Sequence, residues 1–187
     1  MDLFVRAAGP ADAEEIAEVQ RVSWQAAYEG MLSPESLATV ARVWGPAHWR
    51  ASLERTDDRA IPLVLDGRAT GVVGFGVAGP RRGRSDGRLA AYGGEIYLLY
   101  LLPAAQRRGQ GRRLTAGLAR VLLARGTRSA VVWALAKNKP AIDFYRRTGA
   151  VVLGEARKPF FGELVDEVAL GWDDLAAVAG LSGEVRD

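Results

Sequence analysis

The chemistry this chain can support is concentrated between Gln106 and Arg112, where it reads Gln-Arg-Arg-Gly-Gln-Gly-Arg. Gly109 and Gly111 let the backbone approach a bulky anion, and Arg107, Arg108, Arg112 and Arg113 add positive charge around the same turn. An apolar run beginning at Glu95 and closed by Pro103 precedes the turn, and a helix-period segment follows it. The glycines therefore stand where a strand hands over to a helix. The first turn of a helix leaves backbone N–H groups without partners, and the helix dipole favours negative charge there. These features suit a pyrophosphate. They also suit an ordinary glycine turn carrying solvated arginines. Two phosphate-binding patterns are excluded: GxxxxGK[ST] is missing, and the third position after Gly111 is Leu114, where a dinucleotide-binding GxGxxG needs glycine.

What the composition lacks narrows the chemistry further. The 187 residues include no cysteine and one histidine, His48. A thiol nucleophile, a disulfide framework and a thiolate or multi-histidine metal site are thereby excluded, and no metal is expected. His48 lies in a Trp-bearing helical segment remote in sequence from the other motifs and reads as structural. The net charge of +3 is mild and implies no polyanionic partner. Arg81, Arg82, Arg84 and Arg88 cluster in PRRGRSDGR, a loop by composition. No aromatic residue interleaves with them before Tyr92, so nucleic-acid binding has little support. The apolar runs are too short to cross a membrane, and the first residues do not read as a signal peptide, so a cytoplasmic protein without a membrane partner is expected.

The elements that must position the turn follow from periodicity and punctuation. Leu3 to Ala7 reads as a strand. Pro10 opens a helix with acids in its first turn, ending near Gly30. Ser33 caps a second helix with Pro34 at its first position, interrupted at Gly45-Pro46. Ile61–Leu65 and Thr70–Val77 form a hairpin around Asp66-Gly67. The central strand starts at Glu95, and residues 112 to 125 make a helix that turns Leu114, Leu118, Val121 and Leu122 inward. Ala130 to Leu135 is a buried strand, and Asn138 caps a helix carrying Phe144 and Tyr145. Val151–Gly154 and Leu164–Trp172 are the last strands, and a short helix follows Asp173. The length and the lack of a linker predict a single domain over residues 1–187, with 173–187 as a short tail.

In this order the motifs resemble the GNAT superfamily of acyl-CoA N-acyltransferases. Gln106-x-x-Gly109-x-Gly111 after a strand ending Leu-Leu-Pro103 is similar to the family's pyrophosphate loop. Asn138 directly after the next strand, the segment from Ala141 to Ala150, and Glu167-Val168-Ala169-Leu170 on the last strand complete the pattern. Residues 24 to 32 also resemble an N-terminal pattern of bacterial members. Within the segment from Ala141 to Ala150, Ala150 departs from the family pattern, since many members carry Phe there. The resemblance implies an α/β fold with a mixed, mostly antiparallel central sheet of about six or seven strands and helices on both faces.

The same resemblance implies the site. Coenzyme A would pair with the backbone of Leu99, Tyr100 and Leu101. Its pyrophosphate would sit on the turn formed by Gln106, Arg107, Arg108, Gly109, Gln110, Gly111 and Arg112, with Asn138 against its pantetheine or adenosine part. Tyr145 would protonate the leaving thiolate. Glu95, or alternatively Glu29, would take the proton of the amine, and Trp24, Tyr28 and Glu29 would shape the acceptor pocket. Acetyl-CoA is the expected co-substrate and a small-molecule amine the expected acceptor, with protein N-terminal or lysine acetylation as an alternative. With no cysteine there is no cysteine acyl-enzyme, so direct transfer in a ternary complex is expected. A catalytically silent acyl-CoA-binding regulatory module is the other reading, and a homodimer is compatible with either.

Overall fold

A computed structural model describes residues 3–55, 59–83 and 87–181 of the chain. Strand β1 (Leu3–Ala7) is followed by three helices, α1 (Ala13–Tyr28), α2 (Pro34–Val43) and α3 (Pro46–Glu54). The Ser33 hydroxyl accepts the Ser36 N–H at 3.1 Å and starts α2, while Pro46 starts α3, so the interruption expected at Gly45-Pro46 separates two helices. Then come β2 (Ile61–Gly67), β3 (Gly71–Pro80), β4 (Gly94–Leu101), α4 (Gln110–Ala124), β5 (Ala130–Leu135) and α5 (Lys139–Arg147). Strands β6 (Val151–Phe160) and β7 (Glu163–Trp172) and helix α6 (Leu175–Ala179) close the described chain. Of the arginine cluster, Arg84 lies outside the described residues, as does the end of the tail.

The sheet has seven strands in the order β1-β2-β3-β4-β5-β7-β6. All neighbours are antiparallel except β4 and β5. Both faces are covered. On one, α4, α5 and α6 pack Leu114, Leu118, Leu122, Ile142 and Leu175 against Ile96, Leu170 and Trp172. On the other, Ile16 and Val19 of α1 and Trp49 of α3 meet Val64, Val72 and Phe75. A smaller aromatic cluster joins Trp24, Leu32 and Val40 to Val165 at the β7 end. The expectation for β6 needs correction: it does not stop at Gly154 but runs to Phe160. It pairs only with β7, so it is an edge strand, and an edge tolerates the charged residues and Pro159 that conceal it in the sequence. Among the described residues, no helix is long and apolar enough to cross a membrane.

Candidate active site

The site begins as a separation between the two parallel strands. β4 and β5 are in register at Gly94↔Ala130, Glu95↔Val131 and Ile96↔Val132, and their pairing ends there. The pairing of β4 with β3 continues to Leu101, but its register jumps from Ala78↔Ile96 to Val77↔Leu98. Tyr97 is therefore the extra residue of a β-bulge, and a bulge bends its strand at that point. Beyond it, β4 has a partner on one side only. Backbone groups alternate in direction along a strand. The Leu102 N–H donates to Val73 at 2.9 Å, so Tyr100, of the same parity, also points its backbone to β3, while Leu99 and Leu101 point to the β5 side. Of the backbone groups expected in the gap, those of Tyr100 are corrected: its contribution there is its side chain. The Leu101 carbonyl is also already engaged, by the Ser23 hydroxyl at 2.9 Å and the Gln106 amide at 3.0 Å.

The glycine turn lies directly beyond the open end of β4. Gln106 folds its side chain back onto Leu101 and so ties the turn to the strand. Arg107 (φ 59°) and Gly109 (φ 76°) are both in the left-handed region, which turns the chain sharply into α4. The Arg113 N–H donates to Gly109 at 3.1 Å. Among the described residues, the amides from Arg107 to Arg112 have no backbone acceptor, as the opening of a helix requires. The Arg107, Arg108 and Arg112 side chains are exposed around this turn, with Arg112 reaching the Arg147 carbonyl at 3.4 Å. An added Cβ on Gly111 would come 3.0 Å from the Phe144 ring. Gly111 thus allows α4 to approach α5, a packing role rather than the anion approach that its type alone suggests.

Three tyrosines meet on the wall of the gap. The hydroxyls of Tyr28 (α1) and Tyr100 (β4) are 3.3 Å apart. Tyr145, 7 % exposed, stands edge-on to Trp172 with ring centroids 5.8 Å apart. Burial raises the Tyr145 phenol above its ordinary range, and the neighbouring Tyr28 adds to the shift. Tyr100 is raised well above its range by burial first, then by Tyr28 and, less, by Tyr145. Tyr28 is raised by burial and by the Glu167 carboxylate, with Tyr100 and Asn138 partly offsetting. All three are therefore neutral hydrogen-bond donors at neutral pH. Trp24 closes the cluster, with ring centroids 4.9 Å from Tyr28, 5.9 Å from Tyr100 and 5.8 Å from Phe160. Its indole N–H faces Tyr100 but falls short of hydrogen-bond geometry.

The sequence and the fold have counterparts among known proteins. The family model described as FR47-like protein matches residues 80–157. The uncharacterized N-acetyltransferase YuaI of Bacillus subtilis is 33% identical over 179 residues, covering 95% of this chain and 96% of the relative. The chain belongs to the GNAT superfamily of acyl-CoA N-acyltransferases. Its GNAT fold is also that of the PaiA N-acetyltransferase of Thermoplasma acidophilum, solved with coenzyme A, at a TM-score of 0.69 and 19% identity over 89% of this chain and 98% of that one. YncA of Salmonella typhimurium, solved with acetyl-CoA, superposes with a TM-score of 0.60 at 19% identity over 94% of this chain and 95% of that one.

Asn138 is 8 % exposed, and its Oδ1 caps α5 by accepting the Ala141 N–H at 3.2 Å. Glu95 does not face solvent at a strand edge. It is 6 % exposed, sits before the bulge, and accepts the Arg82 N–H at 2.9 Å and the Arg82 guanidinium at 3.3 Å. Arg82 in turn lies 3.6 Å over the Tyr97 ring. Glu95 is separated along β4 from the tyrosine wall by roughly 15 Å, at about 3.3 Å per residue. Glu29 is exposed at the end of α1, beside Tyr28 in sequence, in the connection to α2. Sequence reading missed Tyr100 as a side chain of the wall, and it named Glu167 only as part of the last-strand pattern, not beside Tyr28. This carboxylate is ion-paired with Lys158 at 3.0 Å, and Lys158 lies 3.5 Å over the Trp133 ring. The signal for Glu167 was the acidic pair Asp166-Glu167 standing before the apolar end of the last strand.

Proposed function

We propose that this protein transfers an acetyl group from acetyl-CoA to a primary amine on a small molecule, with both substrates bound together. The observation that carries this reading is the parting of β4 and β5 after Ile96 and Val132, directly beside the turn that opens α4. A strand with one open edge offers N–H and C=O groups that need partners, and the amides of a pantetheine arm supply them. Leu99 and the Leu101 N–H are the groups available. The amides of residues 107–112 and the surrounding arginines suit a pyrophosphate. Coenzyme A and acetyl-CoA in the two superposed structures support the assignment.

The reaction needs a neutral amine, a donor to the carbonyl oxygen and a proton for the leaving sulfur. An alkyl ammonium has a pKa of about 10.4, so a base must take its proton before attack. Glu95 is assigned that role through intervening waters: it is a buried carboxylate on β4, before the bulge and beyond direct reach of an amine at the tyrosine wall. Glu29, at the rim, draws the ammonium in. The amine nitrogen attacks the thioester carbonyl, a C–N bond forms, and the C–S bond breaks as the tetrahedral species collapses. The Tyr145 phenol donates to the departing thiolate, and the second amine proton replaces the one it gives. Trp24, Tyr28, Trp44, Phe160 and Phe161 form a crowded aromatic wall, which favours a compact amine over a folded protein surface. Equal turnover of free amines and long peptides overturns that choice of acceptor.

Calorimetric titration with acetyl-CoA and with coenzyme A tests the core of the proposal. Micromolar affinity, about −8 kcal/mol, is expected, and it is lost in Gly109→Val, where a β-branched residue must adopt φ 76°. Failure of the unaltered chain to bind either compound overturns the reading.

A further inference from the structure

Lys158 of β6 and Glu167 of β7 form an ion pair at 3.0 Å. Strand register fixes the face it occupies. Glu167 stands directly opposite Leu135 of β5, and Leu135 and Val165 pack in the cluster around Trp24. Side chains alternate along a strand, so Trp133 and Leu135 on β5 share this face with Val165 and Glu167 on β7. Trp133 follows Val132, the last β5 residue paired with β4, so it stands where the two strands part. The Lys158 ammonium lies 3.5 Å over the Trp133 ring. Glu167 is near enough to Tyr28 to raise its phenol.

A second ion pair on the same two strands gives the contrast. Arg157 and Asp166 are 3.5 Å apart on the opposite face, with side chains 67 % and 68 % exposed. Such a solvated pair contributes little. Glu167 is 18 % exposed and Lys158 43 %, so the carboxylate is shielded while the ammonium keeps an open side. Charges act more strongly where water is thinned. The pair sums to zero, so it favours neither a dication nor a dianion. It matches one molecule that carries both signs, each against the opposite member. An α-amino acid carries its ammonium and carboxylate on a single carbon, a spacing that fits two groups in contact. Trp24, Phe160 and Phe161 offer apolar surface for its side chain.

We propose that the acceptor is a free α-amino acid, its ammonium bound by Glu167 and its carboxylate by Lys158, which part to admit it. The inference rests on the acyltransferase reading and gives that site its substrate class. Glu167 holds the ammonium beside the tyrosine wall until Glu95 takes its proton. The test measures kcat/KM at saturating acetyl-CoA for L-leucine against isoamylamine and for L-phenylalanine against phenethylamine, amines that lack only the carboxylate. The unaltered chain should favour the amino acid in at least one pair. The carboxylate also lowers the pKa of the neighbouring amine, but equally for every variant, so the change in the ratio decides. Lys158→Met should lower that ratio roughly tenfold, the worth of one charge-assisted contact. The loss should appear in KM with kcat nearly kept, and Lys158→Arg should keep most of the preference. Lys158 is half-exposed on an edge strand, so these variants keep the fold. Turnover without preference for either amino acid, or a preference untouched by Lys158→Met, overturns this inference and leaves the acyltransferase reading standing. No turnover of any of these compounds also overturns the amino-acid assignment, while the titration with acetyl-CoA judges the acyltransferase reading by itself.

Discussion

At the scale of single residues, Tyr145 is the sharpest handle on the chemistry. Its phenol is buried, neutral and edge-on to Trp172, so Tyr145→Phe removes a proton donor while keeping the ring that packs. Turnover is expected to fall at least about tenfold, with acetyl-CoA affinity unchanged by calorimetry. Unchanged turnover would remove Tyr145 from the mechanism. The two carboxylates separate by kinetics. Glu95→Gln should lower kcat with KM for the amine nearly kept. Glu29→Gln should raise KM for the amine with kcat nearly kept, since loss of ground-state attraction acts on binding. Away from the cleft, Asp12 accepts two guanidinium bonds from Arg6, at 2.8 and 2.7 Å, and the Gly9 N–H at 2.8 Å. Hydrogen bonding from Arg6 holds its carboxyl below the usual range. Its contribution to stability is therefore complete above the unfolded carboxyl value of about 3.9 and is lost as pH falls through the lower folded value. Asp12→Asn should cost on the order of 2 kcal/mol at neutral pH, seen as a lower denaturant midpoint, and should flatten the acid limb of the stability profile.

At the scale of elements, the α4 start and the β4 bulge decide whether there is a site. Gly111 sits against Phe144, so even Gly111→Ala forces the ring to give way where Cβ would lie at 3.0 Å. The expected result is a loss of about 1 kcal/mol in stability from this overpacking, together with weaker coenzyme binding as α4 shifts on α5. Pairing the denaturation midpoint with calorimetry separates the two effects. Stability loss without any change in coenzyme affinity would show that α4 position is not what holds the turn. The bulge at Tyr97 has no such signature in the sequence. Its extra residue places Tyr97 and Leu98 on the α1 and α3 face together with Tyr100, while Ile96 and Leu99 pack against α4.

At the scale of the whole molecule, the tyrosine wall couples folding to pH. Burial raises the phenols of Tyr28, Tyr100 and Tyr145 above the unfolded value of about 10. The folded chain therefore holds protons that the unfolded chain gives up, and its stability is complete below about pH 10 and falls as pH rises beyond it. Denaturant midpoints measured across that range should drop, and the drop should be shallower in Tyr100→Phe. An equal slope in that variant would show that Tyr100 titrates alike in both states. The wall also joins distant parts of the chain: Tyr28 from the first helix, Tyr100 from the central strand and Tyr145 from the fifth helix share one small space.

The sequence alone determined the local pieces. Periodicity marked the strand from Glu95 and the helix after Gly111, Ser33 and Asn138 announced helix starts, and Gly45-Pro46 announced a break, because each rests on contacts within a few residues. The order of those pieces sufficed for the GNAT resemblance and so for the turn at residues 106–112. Only the tertiary structure decided which backbone edges stay open, because that depends on where the β4–β5 pairing ends. It alone joined Tyr28 to Tyr100 and bound Glu95 to Arg82, since these contacts link residues far apart in the chain. It also carried β6 past Gly154 through charged residues and a proline, because only the sheet order reveals that this strand is an edge.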